Sequence, residues 1–145
     1  MNANIPDIYK LLQEIAWCFG DHGFDGNCCE DMSLVEFMAL KKTYENHNSS
    51  VQEIGSALNF TKSGATRIID RLENKGYVTR ERSSIDGRVC CVPVTDKGSE
   101  VITKVMEKNT RDLDEMLKDL EPAVVEHIKD ILEILLKAVR RQELI

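Results

Sequence analysis

TKSGATRIIDRLENKGYVTRERSSIDGRVCCVPVTDKG, residues 61–98, is the stretch whose reading decides the fold. Its first half predicts a short helix. Thr61 suits an N-cap, Ala65, Ile68, Ile69 and Leu72 share one face at helical spacing, and Gly76 after Lys75 supplies the stop. That apolar stripe must pack inward, which leaves Lys62, Ser63, Thr66 and Arg67 on the opposite face of the first two turns. Short hydrogen-bonding groups and cations at a helix N-terminal end suit base edges and phosphates in a major groove, the way helix-turn-helix proteins read DNA. After Gly76 the period changes. Residues 77–82 and 89–94 are β-prone runs around the turn-forming segment 83–88, which predicts a hairpin. Arg80, Arg82 and Arg88 put cations along this hairpin and at its tip, where they can reach an electronegative minor groove. Helix plus hairpin is a winged helix.

Upstream, Ser50-Val51-Gln52-Glu53 is a capping box that starts a short helix carrying Val51, Ile54 and Leu58. Asn59-Phe60 turns it into Thr61, so the two form a helix-turn-helix. Before it, Ser33 opens a helix with Leu34, Phe37, Met38 and Tyr44 inward, ending in the polar cluster 45–48. Ile5, Ile8, Leu12, Ile15 and Phe19 predict an amphipathic helix over about 5–20, with Pro6 in its first turn. Residues 20–31 are a Gly- and Asp-rich loop. Downstream, helical spacing returns with Val101, Ile102, Val105 and Met106, stops over the polar run 107–112, and resumes with Leu113, Met116, Leu117 and Leu120. A helix with such a gap reads as a stem joining two packing regions. Pro122 starts the last helix, whose apolar arc of Val124, Val125, Ile128, Ile131, Leu132, Leu135, Leu136 and Val139 is wider than one partner needs.

The fold class is therefore mainly α with a small β-wing. Residues 33–98 form the winged helix-turn-helix, and residues 1–32 and 99–145 a helical dimerisation region. A buried Leu or Ile stabilises by roughly 1.5–3 kcal/mol, so the aliphatic surface of the terminal helices implies a partner. A two-fold homodimer would set two reading helices roughly 34–36 Å apart, one turn of DNA.

At 145 residues the chain is about the size of one domain. Its net charge of −6 argues at first sight against nucleic acid. The average hides an asymmetry: residues 61–88 hold seven basic and four acidic side chains, a net of +3 that leaves −9 for the rest. Charges more than about 10 Å apart are largely screened, so a local patch can still grip phosphate. No apolar run reaches the roughly 20 residues that span a bilayer, and the N-terminus lacks a secretory layout, so the expected location is cytoplasmic, with no membrane partner.

The order of parts resembles the MarR family of transcriptional regulators over essentially the whole chain. Its most specific piece is Asp86-Gly87-Arg88 followed by Val92-Pro93-Val94-Thr95-Asp96-Lys97-Gly98, similar to the family's D-x-R and V-x-L-T-x-x-G wing signature with Val94 in place of leucine. Leu72-Glu73-Asn74-Lys75-Gly76-Tyr77-Val78 matches the usual end of the reading helix. The resemblance implies a sequence-specific regulator, usually a repressor, that binds a pseudo-palindromic operator in double-stranded DNA as a homodimer and answers to a small-molecule, metal or oxidant effector. It implies Thr61, Lys62, Ser63, Thr66 and Arg67 in the major groove and Arg88 in the minor groove. Asp86 would then orient Arg88 by a charge-assisted hydrogen bond, and Ser50 would stand at a helix N-terminus meeting a phosphate.

Five cysteines, an odd number, with no export signal are expected to be reduced thiols. Cys28 and Cys29, with His22 nearby, define the alternative reading, a thiol-based metal or redox sensor whose winged helix is an interaction scaffold; the competing reading is exposed loop cysteines. No metal is specified. On the wing strand Cys90 is expected inward with Val92 and Val94, and Cys91 outward. Cys18 is expected to pack at an interface, His47 to end a helix, and His127 to be solvated or interfacial. Nothing in the chain requires a cofactor, and no nucleophile-base pair or phosphate loop marks an enzyme.

Overall fold

The computed structural model describes residues 1–21, 28–82 and 85–143. Its elements are α1 (Ile5–Cys18), α2 (Leu34–Glu45), α3 (Val51–Ala57), α4 (Lys62–Asn74), β1 (Glu81–Arg82), β2 (Val89–Cys91), α5 (Asp96–Leu117) and α6 (Pro122–Glu143). The chain divides into two compact units, Met1–Glu107 and Lys108–Ile145. The division falls inside α5, in the polar run 107–112, where the missing apolar stripe predicted a stem. Gly98, Ile102 and Val105, the buried residues of α5, all belong to the first unit.

Three predicted helix starts have their side-chain caps, whereas α1 begins at Asn4 without one. Ser33, Ser50 and Thr61 accept hydrogen bonds from the backbone N–H groups of Glu36, Glu53 and Gly64, at 3.1, 3.0 and 3.0 Å. Gly76, at φ +82°, ends α4 in a Schellman motif: the Tyr77 N–H donates to the Leu72 carbonyl and the Gly76 N–H to the Glu73 carbonyl, both at 3.0 Å. Asn59, at φ +61°, does the same for α3, with the Phe60 N–H donating to the Gly55 carbonyl at 2.8 Å. The turn of the helix-turn-helix is thus a second left-handed cap. Gly55 lets α3 and α4 touch, since a β-carbon there would come within 2.8 Å of Ala65 Cβ.

The core of the first unit joins Leu40, Ile54, Ile69, Leu72, Val78, Val92, Ile102 and Val105. From α2 it takes Phe37, Ala39, Leu40 and Thr43, while Tyr44, predicted inward, is exposed. The hairpin is shorter than the β-prone runs. β1 and β2 pair antiparallel, and beyond them Val78 and Val94 make an isolated bridge. Pro93 has no N–H to continue the ladder and serves only as acceptor from Thr79, at 3.0 Å. Glu81 pairs with Cys91 and Arg82 with Val89, so Cys90 is an extra residue on β2. This bulge corrects the alternation expected for the strand: Cys91, predicted outward, is buried, and its thiol donates to a Glu81 carboxylate oxygen at 3.4 Å.

In the second unit, α6 begins on Pro122 as predicted, and none of its described side chains is buried. Among the described residues no helix is long and apolar enough to cross a membrane.

Candidate nucleic-acid interface

Lys62, Ser63, Thr66 and Arg67 are all exposed on the first two turns of α4, opposite buried Ala65 and Ile69. Thr61 sits at their head as cap, and Gly64 makes room for it: a β-carbon there would lie 2.9 Å from Thr61 Oγ1. The Thr66 hydroxyl donates to the Lys62 carbonyl at 3.0 Å, which leaves its oxygen as an acceptor and its methyl as an apolar contact. Ser50, at the head of α3, shares with Thr61, Lys62 and Thr66 an open cleft of about 490 Å³. The structure thus gathers residues from two helix starts onto one face.

At the hairpin tip Gly87 turns the chain at φ +72°. The Asp86 carboxylate accepts the Arg88 backbone N–H at 3.0 Å and lies 3.8 Å from Arg88 Nε, so it fixes the turn by a backbone bond and holds the guanidinium by charge alone. Arg82 donates to the Gly87 carbonyl at 2.9 Å, and both arginines are exposed.

Arg80 is placed differently. Its Nη1 donates to Glu73 at 2.7 Å and its Nη2 to Asp70 at 2.6 Å, with only 20% of the side chain exposed. Both arms of the fork are committed to α4, so Arg80 clamps the wing to that helix.

A polar network under the wing had no clear signal in the sequence. Glu36, 7% exposed, takes Lys75 Nζ at 2.6 Å, and the same ammonium donates to the Asp31 carbonyl at 2.5 Å. The Tyr77 hydroxyl donates to Asp31 Oδ1 at 2.7 Å, while Lys97 lies 5.3 Å from the centre of the Tyr77 ring and donates to the Lys75 carbonyl. Burial, reinforced by the hydrogen bond to Asp31 and by the Asp31, Glu30 and Glu36 charges, pushes the Tyr77 phenol up to about 12. A raised folded-state value means that this bond stabilises fully below the ordinary tyrosine range near pH 10 and is lost as pH rises towards 12. Ultraviolet difference titration should accordingly show a late tyrosine step well above pH 10, and Tyr77→Phe should remove it.

The cysteines require a correction. Cys28 and Cys29, expected as reduced thiols in an exposed loop, are joined to each other in a disulfide, and Cys29 is in the core at 2% exposure. Their sulfurs are bonded and are not thiolate ligands here. His22 lies outside the described residues, and among the described residues no three metal-ligating side chains converge. Cys18 is exposed.

Capped helix-turn-helix, bulged hairpin and long helical stem together define a winged-helix protein. A sequence model of the MarR family matches residues 32–90. The uncharacterised HTH-type transcriptional regulator YkoM of Bacillus subtilis is 30% identical over 99 residues, 68% of this chain and 64% of YkoM. The transcriptional repressor MprA of Escherichia coli is 30% identical over 109 residues, 74% of this chain and 62% of MprA. Among solved structures, a MarR family protein from Bacillus stearothermophilus superposes with a TM-score of 0.84 over 97% of this chain and 99% of that one; at 24% identity the likeness is one of fold. The transcriptional regulator BldR of Sulfolobus solfataricus is 30% identical with a TM-score of 0.67, over 94% of this chain and 92% of BldR. The chain belongs to the MarR family, whose members are DNA-binding transcriptional regulators and not enzymes.

Proposed function

We propose that the protein is a sequence-specific regulator, acting as a repressor, that binds a pseudo-palindromic operator as a homodimer and is modulated by a small effector. The observation that carries this reading is the exposed row Lys62, Ser63, Thr66 and Arg67 on the reading helix, with Arg82 and Arg88 exposed on the hairpin that Arg80 ties to it. In this arrangement residues 33–98 hold the DNA. Thr61, Lys62, Ser63, Thr66 and Arg67 meet the major groove, Ser50 meets a phosphate, Arg82 and Arg88 reach the minor groove with Asp86 steadying the tip, and Arg80 positions the wing. Residues 1–32 and 99–145 supply the dimer contacts, which is supported by α1, none of whose residues is buried, and by exposed Ile131 and Ile134 on α6. The repressor sense follows MprA, a named repressor.

Titrating duplex binding against salt tests the assignment. Arg88→Ala should weaken binding to specific and non-specific duplexes alike and reduce the salt slope by about one per arginine removed, whereas Ser63→Ala or Thr66→Ala should relax sequence preference. A slope unchanged by Arg88→Ala removes the wing from the contact set.

A further inference from the structure

We propose that the Cys28–Cys29 disulfide is a redox-active site that exchanges with dithiols, and that its state is transmitted to the base of the wing. The two sulfurs differ in access. Cys29 belongs to the core, whereas Cys28 is half-buried against it, so an incoming thiolate meets the Cys28 sulfur first. Attack there forms a mixed disulfide at Cys28 and releases Cys29 as a thiolate, which takes up a proton. The second thiol of the reductant then displaces Cys28 and closes its own disulfide, so that two electrons and two protons pass to the cysteine pair and the dithiol is oxidised.

The residues that follow carry the consequence. Glu30 is held at φ +58°, a left-handed conformation that non-glycine residues seldom adopt, and its carboxylate lies 3.3 Å from Lys104 Nζ on α5. The next residue, Asp31, receives Lys75 from the end of the reading helix and Tyr77 from the start of the wing. A small ring closed by adjacent cysteines restricts the backbone that presents Glu30 and Asp31. Opening it restores torsional freedom beside two polar contacts that the wing base needs. The redox chemistry stands independently of DNA; only its effect on operator affinity rests on the proposed function.

The test uses the full chain equilibrated in oxidised and reduced dithiothreitol. Alkylation in denaturant should find three reactive thiols at the oxidising end and five at the reducing end, the change mapping to the peptide that holds residues 28 and 29. Five thiols at every ratio overturn the site. Hydrogen exchange of the Tyr77 and Thr79 amides should quicken roughly tenfold on reduction, the scale of losing one hydrogen bond, and equal rates in both forms overturn the transmission. Cys28→Ser should abolish the redox difference, and a difference that persists counts against the site; should this variant not fold, the wild-type comparison decides alone. Exchange that responds to redox state in a protein that binds no duplex supports the site while counting against the regulator reading.

Discussion

Gly98→Ala should destabilise the first unit by about 3 kcal/mol, near the top of the range for overpacking, and lower its melting temperature by roughly 12–24 °C. The reason lies where α5 leaves the wing. The Thr95 hydroxyl donates to the Gly76 carbonyl at 2.6 Å and accepts the Gly98 N–H at 3.1 Å, and the Thr95 N–H donates to the Tyr77 carbonyl at 3.0 Å. These bonds draw the first turn of α5 onto the backbone at Tyr77. A β-carbon on residue 98 would overlap the Tyr77 carbonyl oxygen and come 2.8 Å from Val94 Cγ1. Neither can yield, because Tyr77 is buried and Val94 packs on the core. The T-x-x-G part of the wing signature is thus a junction in which threonine ties three segments and glycine admits a carbonyl. Gly87→Ala separates the two uses of glycine: its φ is +72° with open space around it, so the expected cost is only the left-handed penalty, about 1 kcal/mol. Urea unfolding of both variants checks the contrast, and equal costs would refute the overlap argument.

The paired substitution Ile131→Glu with Ile134→Glu should convert the protein to monomers and weaken duplex binding by roughly 10²–10⁴-fold, the advantage of gripping two half-sites at once. These side chains are 62% and 68% exposed on α6, a turn apart on one face. Each would contribute roughly 1.5–3 kcal/mol when buried against a second copy, and a carboxylate in its place must be desolvated. Because neither is buried within the chain, helix content and the first unit should be untouched. Sedimentation and duplex titration read the two effects separately. A variant that stays dimeric takes this face of α6 out of the interface, and a monomer that keeps full affinity removes the two-fold operator.

Local chemistry accounts for what could be read early. Ser33, Ser50, Thr61 and Gly76 act through neighbours three to five residues away, so their positions announce helix starts and stops without the rest of the fold. The stem inside α5 follows equally from a run of polar residues. The exposed polar face of α4 needs only the helical period and the knowledge that its apolar stripe points inward.

Other features depend on residues far apart in sequence, or on one residue's change of register, and these only the tertiary structure decided. Lys75 donates to Glu36, 39 positions earlier, a pairing that no local spacing announces. Arg80, expected among the DNA contacts, has both arms of its guanidinium taken by Asp70 and Glu73. Cys90, inserted as a bulge, moved Cys91 inside, because strand periodicity survives only while each residue has one opposite. The bond between Cys28 and Cys29 has no sequence signal beyond adjacency. From the order of its residues alone, the chain determined its helices, its wing and the exposed polar face of α4, since these follow from period and capping; how charges and sulfurs pair across the core came from packing, which brings together groups that no local rule connects.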